Sequence, residues 1–197
     1  MHTYTTSRTL LLRSSQLDGG SWTELVDLYK PFICSILIKL NIQKDDIEDL
    51  IQDTLIRLFK TLKKTAPEDI TRFRSVLASI TKRCAIDYLR KRTSEQRKLD
   101  AGQLLEEQGH MRPLQEPEID QIIERQWKLF LTDIALKNVE TQCSAKAMSV
   151  FKMSLKGYDA ETIAEQLGLT VSSVYRMKTQ VKRCVSQEIQ SMDGHAG

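Results

Sequence analysis

Apolar residues recur at three- and four-residue steps through most of this 197-residue chain. The clearest case is a single stripe spanning more than four helical turns, formed by Ile47, Leu50, Ile51, Leu55, Leu58 and Leu62. This period places apolar side chains on one side of a helix, whereas a strand would alternate them. No segment shows strand-like alternation bounded by turns, so we predict an all-α fold.

The predicted helices have recognisable starts and interruptions. Ser21-x-x-Glu24 and Asp45-x-x-Glu48 are capping-box patterns that predict two helix starts. Pro31 is expected to kink or interrupt the first helix. A third helix should bury a stripe that includes Phe73, Leu77, Ile80, Cys84 and Tyr88.

Charge is distributed unevenly, although the net charge is only +3. Basic residues dominate 82–98, acids dominate 99–120, and basic residues return in 176–183. This predicts two small helical domains that each meet an anionic polymer, joined by a flexible linker rich in Gly, Pro and acids. The predicted segments are an N-terminal extension (1–20), a first domain (21–93), the linker (94–120), a second domain (121–192) and a tail (193–197). Solvated helix faces would also explain the charges alone.

Several function classes find no support in the composition. No apolar run approaches the roughly 20 residues of a membrane span, and the N-terminus lacks a signal-peptide pattern, so we expect a cytoplasmic protein without membrane insertion. The four cysteines are far apart and the three histidines lie in tails or the linker. We therefore expect no metal site, cofactor, catalytic residue or enzyme activity. Acids near residue 46 could suggest magnesium ligands, but the start of a helix explains them better.

Two helices present unusual outer faces. The second carries a compact patch made of Glu48, Asp49, Gln52, Asp53 and Arg57. The third leaves a set of cations outside its buried stripe, namely Arg74, Lys82, Arg83, Arg90, Lys91 and Arg92. The first set is more compactly acidic than a merely solvated helix face would be, and the second is left to solvent or to a ligand.

Residues 159–185 have helix-turn-helix spacing. Asp159 and Thr170 are predicted helix caps, Gly168 permits the tight turn, and Ala164 allows close helix approach. The outer face of the second helix has no acid before Glu188, which suits insertion into a major groove. Its candidate DNA-binding residues are Ser172, Ser173, Tyr175, Arg176, Lys178, Thr179, Lys182 and Arg183.

These motifs, in this order, resemble those of bacterial extracytoplasmic-function (ECF) RNA polymerase sigma factors. Residues 46–59 are similar to the region-two motif that docks on core RNA polymerase, which implies that role for Asp49, Gln52 and Asp53. Residues 73–92 resemble the helix that melts and reads the promoter minus-10 element. Residues 144–189 resemble region four, whose recognition helix reads the minus-35 element.

The resemblance implies a transcription initiation factor whose partners are core RNA polymerase and promoter DNA, with an anti-sigma factor as a further candidate. The loop 65–71 would receive an extruded base. Val76 stands where the family usually has Trp, and Arg83 where it usually has Asn, so no minus-10 base sequence is carried over. The alternative is a homodimeric helix-turn-helix regulator that does not bind core polymerase, which would leave the acidic patch on 48–53 unexplained.

Overall fold

The computed structural model describes residues 19–64, 73–100 and 115–196, without the side chains of 96–100 and 193–196. All regular elements in these ranges are helices, which confirms the predicted all-α fold. The seven helices are α1 (Gly19–Lys39), α2 (Lys44–Lys64), α3 (Phe73–Asp100), α4 (Glu116–Gln142), α5 (Ala145–Leu155), α6 (Ala160–Leu167) and α7 (Val171–Ala196). None of these helices carries a stretch long and apolar enough to cross a membrane.

The chain divides into two compact units, with the division between Lys128 and Leu129. The described part of the N-terminal unit contains α1, α2, α3 and the first half of α4. The C-terminal unit contains the rest of α4 and then α5, α6 and α7. The predicted domain boundary at residue 121 lies within α4.

Helix α1 supplies much of the N-terminal core, through Leu25, Phe32, Ile33, Ile36 and Leu37. It runs unbroken through Pro31, so of the two predicted effects, a kink or an interruption, the interruption is wrong. The ring of Pro31 is exposed, which leaves water able to solvate the carbonyl that loses its partner.

A Schellman turn ends α1. The left-handed residue is Asn41 (φ 56°), and the N–H of Ile42 donates to the carbonyl oxygen of Leu37 at 3.1 Å. Asparagine tolerates this conformation better than most non-glycine residues. The turn reverses the chain, and α2 begins at Lys44.

The apolar stripe of α2 faces the core as expected. Ile51, Leu58 and Leu62 are buried, together with Thr54, which periodicity did not single out. Both predicted capping positions are wrong, because Ser21 and Asp45 already lie in the first turns of α1 and α2. A capping pattern locates a helix start only to within a residue or two.

Helical structure enters the predicted linker from both ends. Helix α3 continues to Asp100, since residues 94–100 are mostly good helix formers. At the other end, Gln115 precedes α4, and its N–H donates to Glu118 Oε2 at 2.7 Å in half of a capping box. Pro117 therefore lies in a first helical turn, where proline is tolerated, and does not mark a break.

In the C-terminal unit, α4 and α7 are joined by a hydrogen bond from Asn138 Nδ2 to Glu188 Oε1 at 2.7 Å. Val139 and Val181 are fully buried in this unit. Ser144 caps α5 by accepting the N–H of Ala147. A hydrogen bond between α4 and α7 and buried apolar side chains thus stabilise this unit.

Candidate functional site

The acidic patch predicted on α2 lies on the surface of the N-terminal unit. Glu48, Asp49 and Gln52 are exposed, whereas Asp53 is half-buried. Glu48 Oε1 accepts a hydrogen bond from Lys30 Nζ of α1 at 2.6 Å. Asp49 and Gln52 make no side-chain hydrogen bond to any described residue, so their polar groups are available to a partner.

Arg57, the fifth member of the predicted patch, connects two helices. Its Nη2 lies 2.9 Å from Asp53 Oδ2 on α2, and its Nη1 donates to Asp87 Oδ2 on α3 at 3.1 Å. Hydrogen bonds to Asp53 and then Asp87 raise the pKa of Arg57, so the guanidinium stays charged. Arg57 thus orients the Asp53 carboxylate at the edge of the patch.

One residue beside the patch was missed by sequence reasoning. Ile56 is 51% exposed and lies four residues after Gln52, on the same side of α2. Periodicity places the apolar residues of α2 in the interior, but Ile56 falls outside the Leu55/Leu58 stripe. An apolar residue outside the buried stripe was the sequence signal that could have identified it as exposed. We define the α2 patch as Glu48, Asp49, Gln52, Asp53, Ile56 and Arg57.

The cations predicted on α3 do not form one surface. Arg83 and Arg90 are exposed and lie seven residues apart, so they share one side of the helix. Lys82 and Arg74 occupy the other flank and are only 21% and 26% exposed. We call Arg83 and Arg90 the open flank and Lys82 and Arg74 the covered flank.

The covered flank faces acids from α4. Lys82 Nζ donates to Asp120 Oδ1 at 2.7 Å and lies 3.6 Å from Glu116 Oε2. Arg74 pairs with Glu124. The hydrogen bond to Asp120 raises the pKa of Lys82.

The last two predicted cations on α3 lie near its end and are both exposed. Lys91 is 3.9 Å from Glu95 in a one-turn pair, and Arg92 Nη1 donates weakly to Tyr88 Oη at 3.4 Å. The Tyr88 hydroxyl in turn donates to Asp46 Oδ2 at 2.6 Å, which ties α3 to the start of α2. Tyr88 is therefore a packing residue with a polar tip.

The helix-turn-helix forms with the predicted local chemistry. Asp159 Oδ1 accepts the N–H of Thr162 at 2.7 Å, and this backbone hydrogen bond lowers the pKa of Asp159. Gly168 takes the left-handed conformation, with φ 59°, at the end of α6. Thr170 Oγ1 accepts the N–H of Ser173 at 3.2 Å and caps α7.

The helix pair is held by a small apolar core. Val150, Ile163, Ala164 and Val174 are buried together, with Leu167 and Met177 packed against them. This core fixes the start of α7 and determines which of its side chains face outward.

Of the predicted DNA-binding residues on α7, most are exposed, and this group comprises Ser172, Tyr175, Arg176, Thr179, Lys182 and Arg183. Ser173 and Lys178 are half-buried. The Ser173 hydroxyl also accepts a hydrogen bond from Thr170 Oγ1 at 2.9 Å, so it is engaged in the cap. The predicted base-binding loop, 65–71, lies outside the described residues.

Comparison with known proteins gives a family match over part of the chain. Residues 25–95 match the family described as Sigma-70 region 2, a range that contains the α2 patch and the predicted cations of α3. None of the curated proteins matches the chain. The match covers 71 of the 197 residues and indicates a sigma-like region for RNA polymerase binding and promoter melting over 25–95.

Proposed function

We propose that this chain is an ECF-type sigma factor that binds core RNA polymerase, recognises minus-35 and minus-10 promoter elements, and promotes DNA melting. The observation that carries the proposal is the order of two modules in one chain. A Sigma-70 region 2 match over 25–95 is followed by a helix-turn-helix over 159–185. The segments 21–93 and 121–192 would be regions two and four, joined by residues 94–120.

The α2 patch is the proposed core-binding surface. Its central side chains, Asp49 and Gln52, are exposed, while Ile56 adds apolar area beside them. Protein interfaces commonly combine a buried apolar contact with a polar rim. Ile56 would therefore contact polymerase directly, with the acids around it setting orientation.

The proposed DNA contacts come from both units. The cations of α3 would hold the separated non-template strand of the minus-10 element, and the exposed residues at the start of α7 would enter the minus-35 major groove. Binding single strands in preference to duplex favours melting without covalent chemistry by this chain. Such a factor acts in the cytoplasm, where core polymerase and the chromosome are found.

A homodimeric helix-turn-helix regulator is the competing function. The helix-turn-helix fits both proposals, because duplex recognition uses the same geometry in each. The Sigma-70 region 2 match favours the sigma factor, since a repressor has no use for a polymerase-binding patch.

The proposal is tested by Asp49→Lys, with core-polymerase binding followed by fluorescence anisotropy of the labelled chain. Asp49 is exposed and outside the buried stripe of α2, so reversal should leave the fold intact. Reversal at the centre of the patch should weaken core binding by about tenfold or more, as loss of a charge contact in an interface does.

Asp27→Lys is the matched control, because Asp27 is also an exposed acid, on α1, and the change in net charge is identical. The control should bind core polymerase as the parent chain does. Equal affinity of both variants would contradict the assignment of the α2 patch as the core-binding surface.

A further inference from the structure

Three carboxylates of α4 hold the covered flank of α3. Asp120 reaches Lys82 with both oxygens, at 2.7 and 2.9 Å, and Glu116 adds a second carboxylate at 3.6 Å. Glu124 pairs with Arg74. We call Glu116, Asp120 and Glu124 the α4 carboxylates. They are spaced four residues apart and so lie along one side of the helix.

An aromatic anchor keeps the α4 carboxylates in place. Trp127 follows Glu124 by less than one turn and is 2% exposed. Its ring packs edge-to-face against Phe32 of α1, with centroids 5.3 Å apart, and the Arg74 guanidinium lies 5.2 Å from its centre. Apolar burial thus docks α4, and the carboxylates extend from the docked helix over the cations.

The ion pairs themselves contribute little to stability. The carboxylates are about half exposed or more, and exposed ion pairs contribute little to stability because water screens them. A polyanion with several phosphates could therefore replace them. The arrangement covers Lys82 and Arg74 in the free chain without making them permanently inaccessible.

We propose that the α4 carboxylates are an intramolecular substitute for the DNA backbone, which shields Lys82 and Arg74 until a nucleic-acid strand displaces them. The shield would suppress non-specific binding of the free factor to single strands while leaving the open flank available. This inference rests on the proposed function, because it assigns regulation to the same DNA-binding helix.

The test uses the full chain carrying Glu116→Gln, Asp120→Asn and Glu124→Gln, which we call the shield variant. Binding to a fluorescein-labelled oligo-dT strand is measured by anisotropy at several salt concentrations, in the absence of polymerase. Release of two cations should tighten binding about fivefold or more. It should also steepen the dependence of log affinity on log salt by about 1.4, since each contact with a single strand contributes roughly 0.7.

The matched control is Glu24→Gln with Asp27→Asn and Asp133→Asn, which removes the same amount of negative charge from exposed positions elsewhere. It should gain clearly less affinity than the shield variant. Adding Lys82→Ala and Arg74→Ala to the shield variant should abolish the gain.

Two results would overturn the shield. One is a shield variant that binds oligo-dT no better than the control variant does. If the substitutions lower only the unfolding temperature and leave oligo-dT affinity unchanged, the carboxylates stabilise the fold and do not shield the cations. The other is a gain that survives removal of Lys82 and Arg74. Core-polymerase binding is measured separately through Asp49, so loss of the shield with intact core binding would leave the proposed function standing.

Discussion

Lys82 and Arg83 are neighbours on α3, yet one lies among acids and the other is exposed. Sequence reasoning placed both on the outer face because neither belongs to the buried stripe. Their difference arises from α4, whose acids lie more than 30 residues away in sequence. A helical repeat identifies the buried side of one helix, but it carries no information about which flank a distant helix covers.

Arg176 and Lys182 on α7 should make different kinds of DNA contact, Arg176 with base edges and Lys182 with phosphates. Arg176 lies early in the helix, where base edges are within reach, and Lys182 lies nearly two turns later, toward the phosphates. Arg176→Ala should cost roughly 1–3 kcal/mol on the preferred upstream duplex and much less on a scrambled one. Lys182→Ala should weaken both equally and reduce the salt slope by about one.

Both variants are measured in the full chain on matched and scrambled duplexes at several salt concentrations. Both side chains are exposed, so neither change should disturb folding. Equal losses on the two duplexes for Arg176→Ala would mean that this residue contacts phosphate only.

Among the elements, the helix-turn-helix was predictable in detail because its signals are local. The caps at Asp159 and Thr170 and the turn at Gly168 each act within four residues of their own positions. Helix α4 was less predictable. Its start was assigned to the linker because Pro117 suggested a break. The packing of Trp127 on Phe32 could not be predicted from local patterns, because the two residues are almost 100 positions apart in sequence.

Trp127 should be a principal contributor to the packing of α4. Trp127→Ala removes a fully packed ring, and such truncations cost about 3–5 kcal/mol. Urea denaturation followed by circular dichroism measures the loss in free energy of unfolding.

Leu129→Ala provides the comparison two residues later on the same helix. Leu129 is 57% exposed, so its truncation should change the free energy of unfolding by about 0.5 kcal/mol or less. A small effect of Trp127→Ala would show that α4 is not held by this ring.

For the whole molecule, the two candidate functions predict different assemblies. A sigma factor should be monomeric alone and should direct purified bacterial core polymerase to a discrete set of promoters in a genomic library. A helix-turn-helix regulator should dimerise and bind palindromic sites without polymerase. Analytical ultracentrifugation and in vitro transcription distinguish them, and a stable dimer that supports no initiation would refute the sigma assignment.

Arg57 gives the two proposed surfaces of the N-terminal unit a common cation. It is shared between Asp53, at the edge of the α2 patch, and Asp87, between Arg83 and Arg90 on α3. A protein that binds the Asp53 carboxylate would leave Arg57 paired with Asp87 alone. This would change the electrostatic field beside the open flank. By thermodynamic linkage, any effect of this change on DNA affinity would be matched by an equal effect of DNA on affinity at the α2 patch. In the proposed sigma factor, this shared guanidinium would be the contact through which polymerase binding and strand capture influence each other.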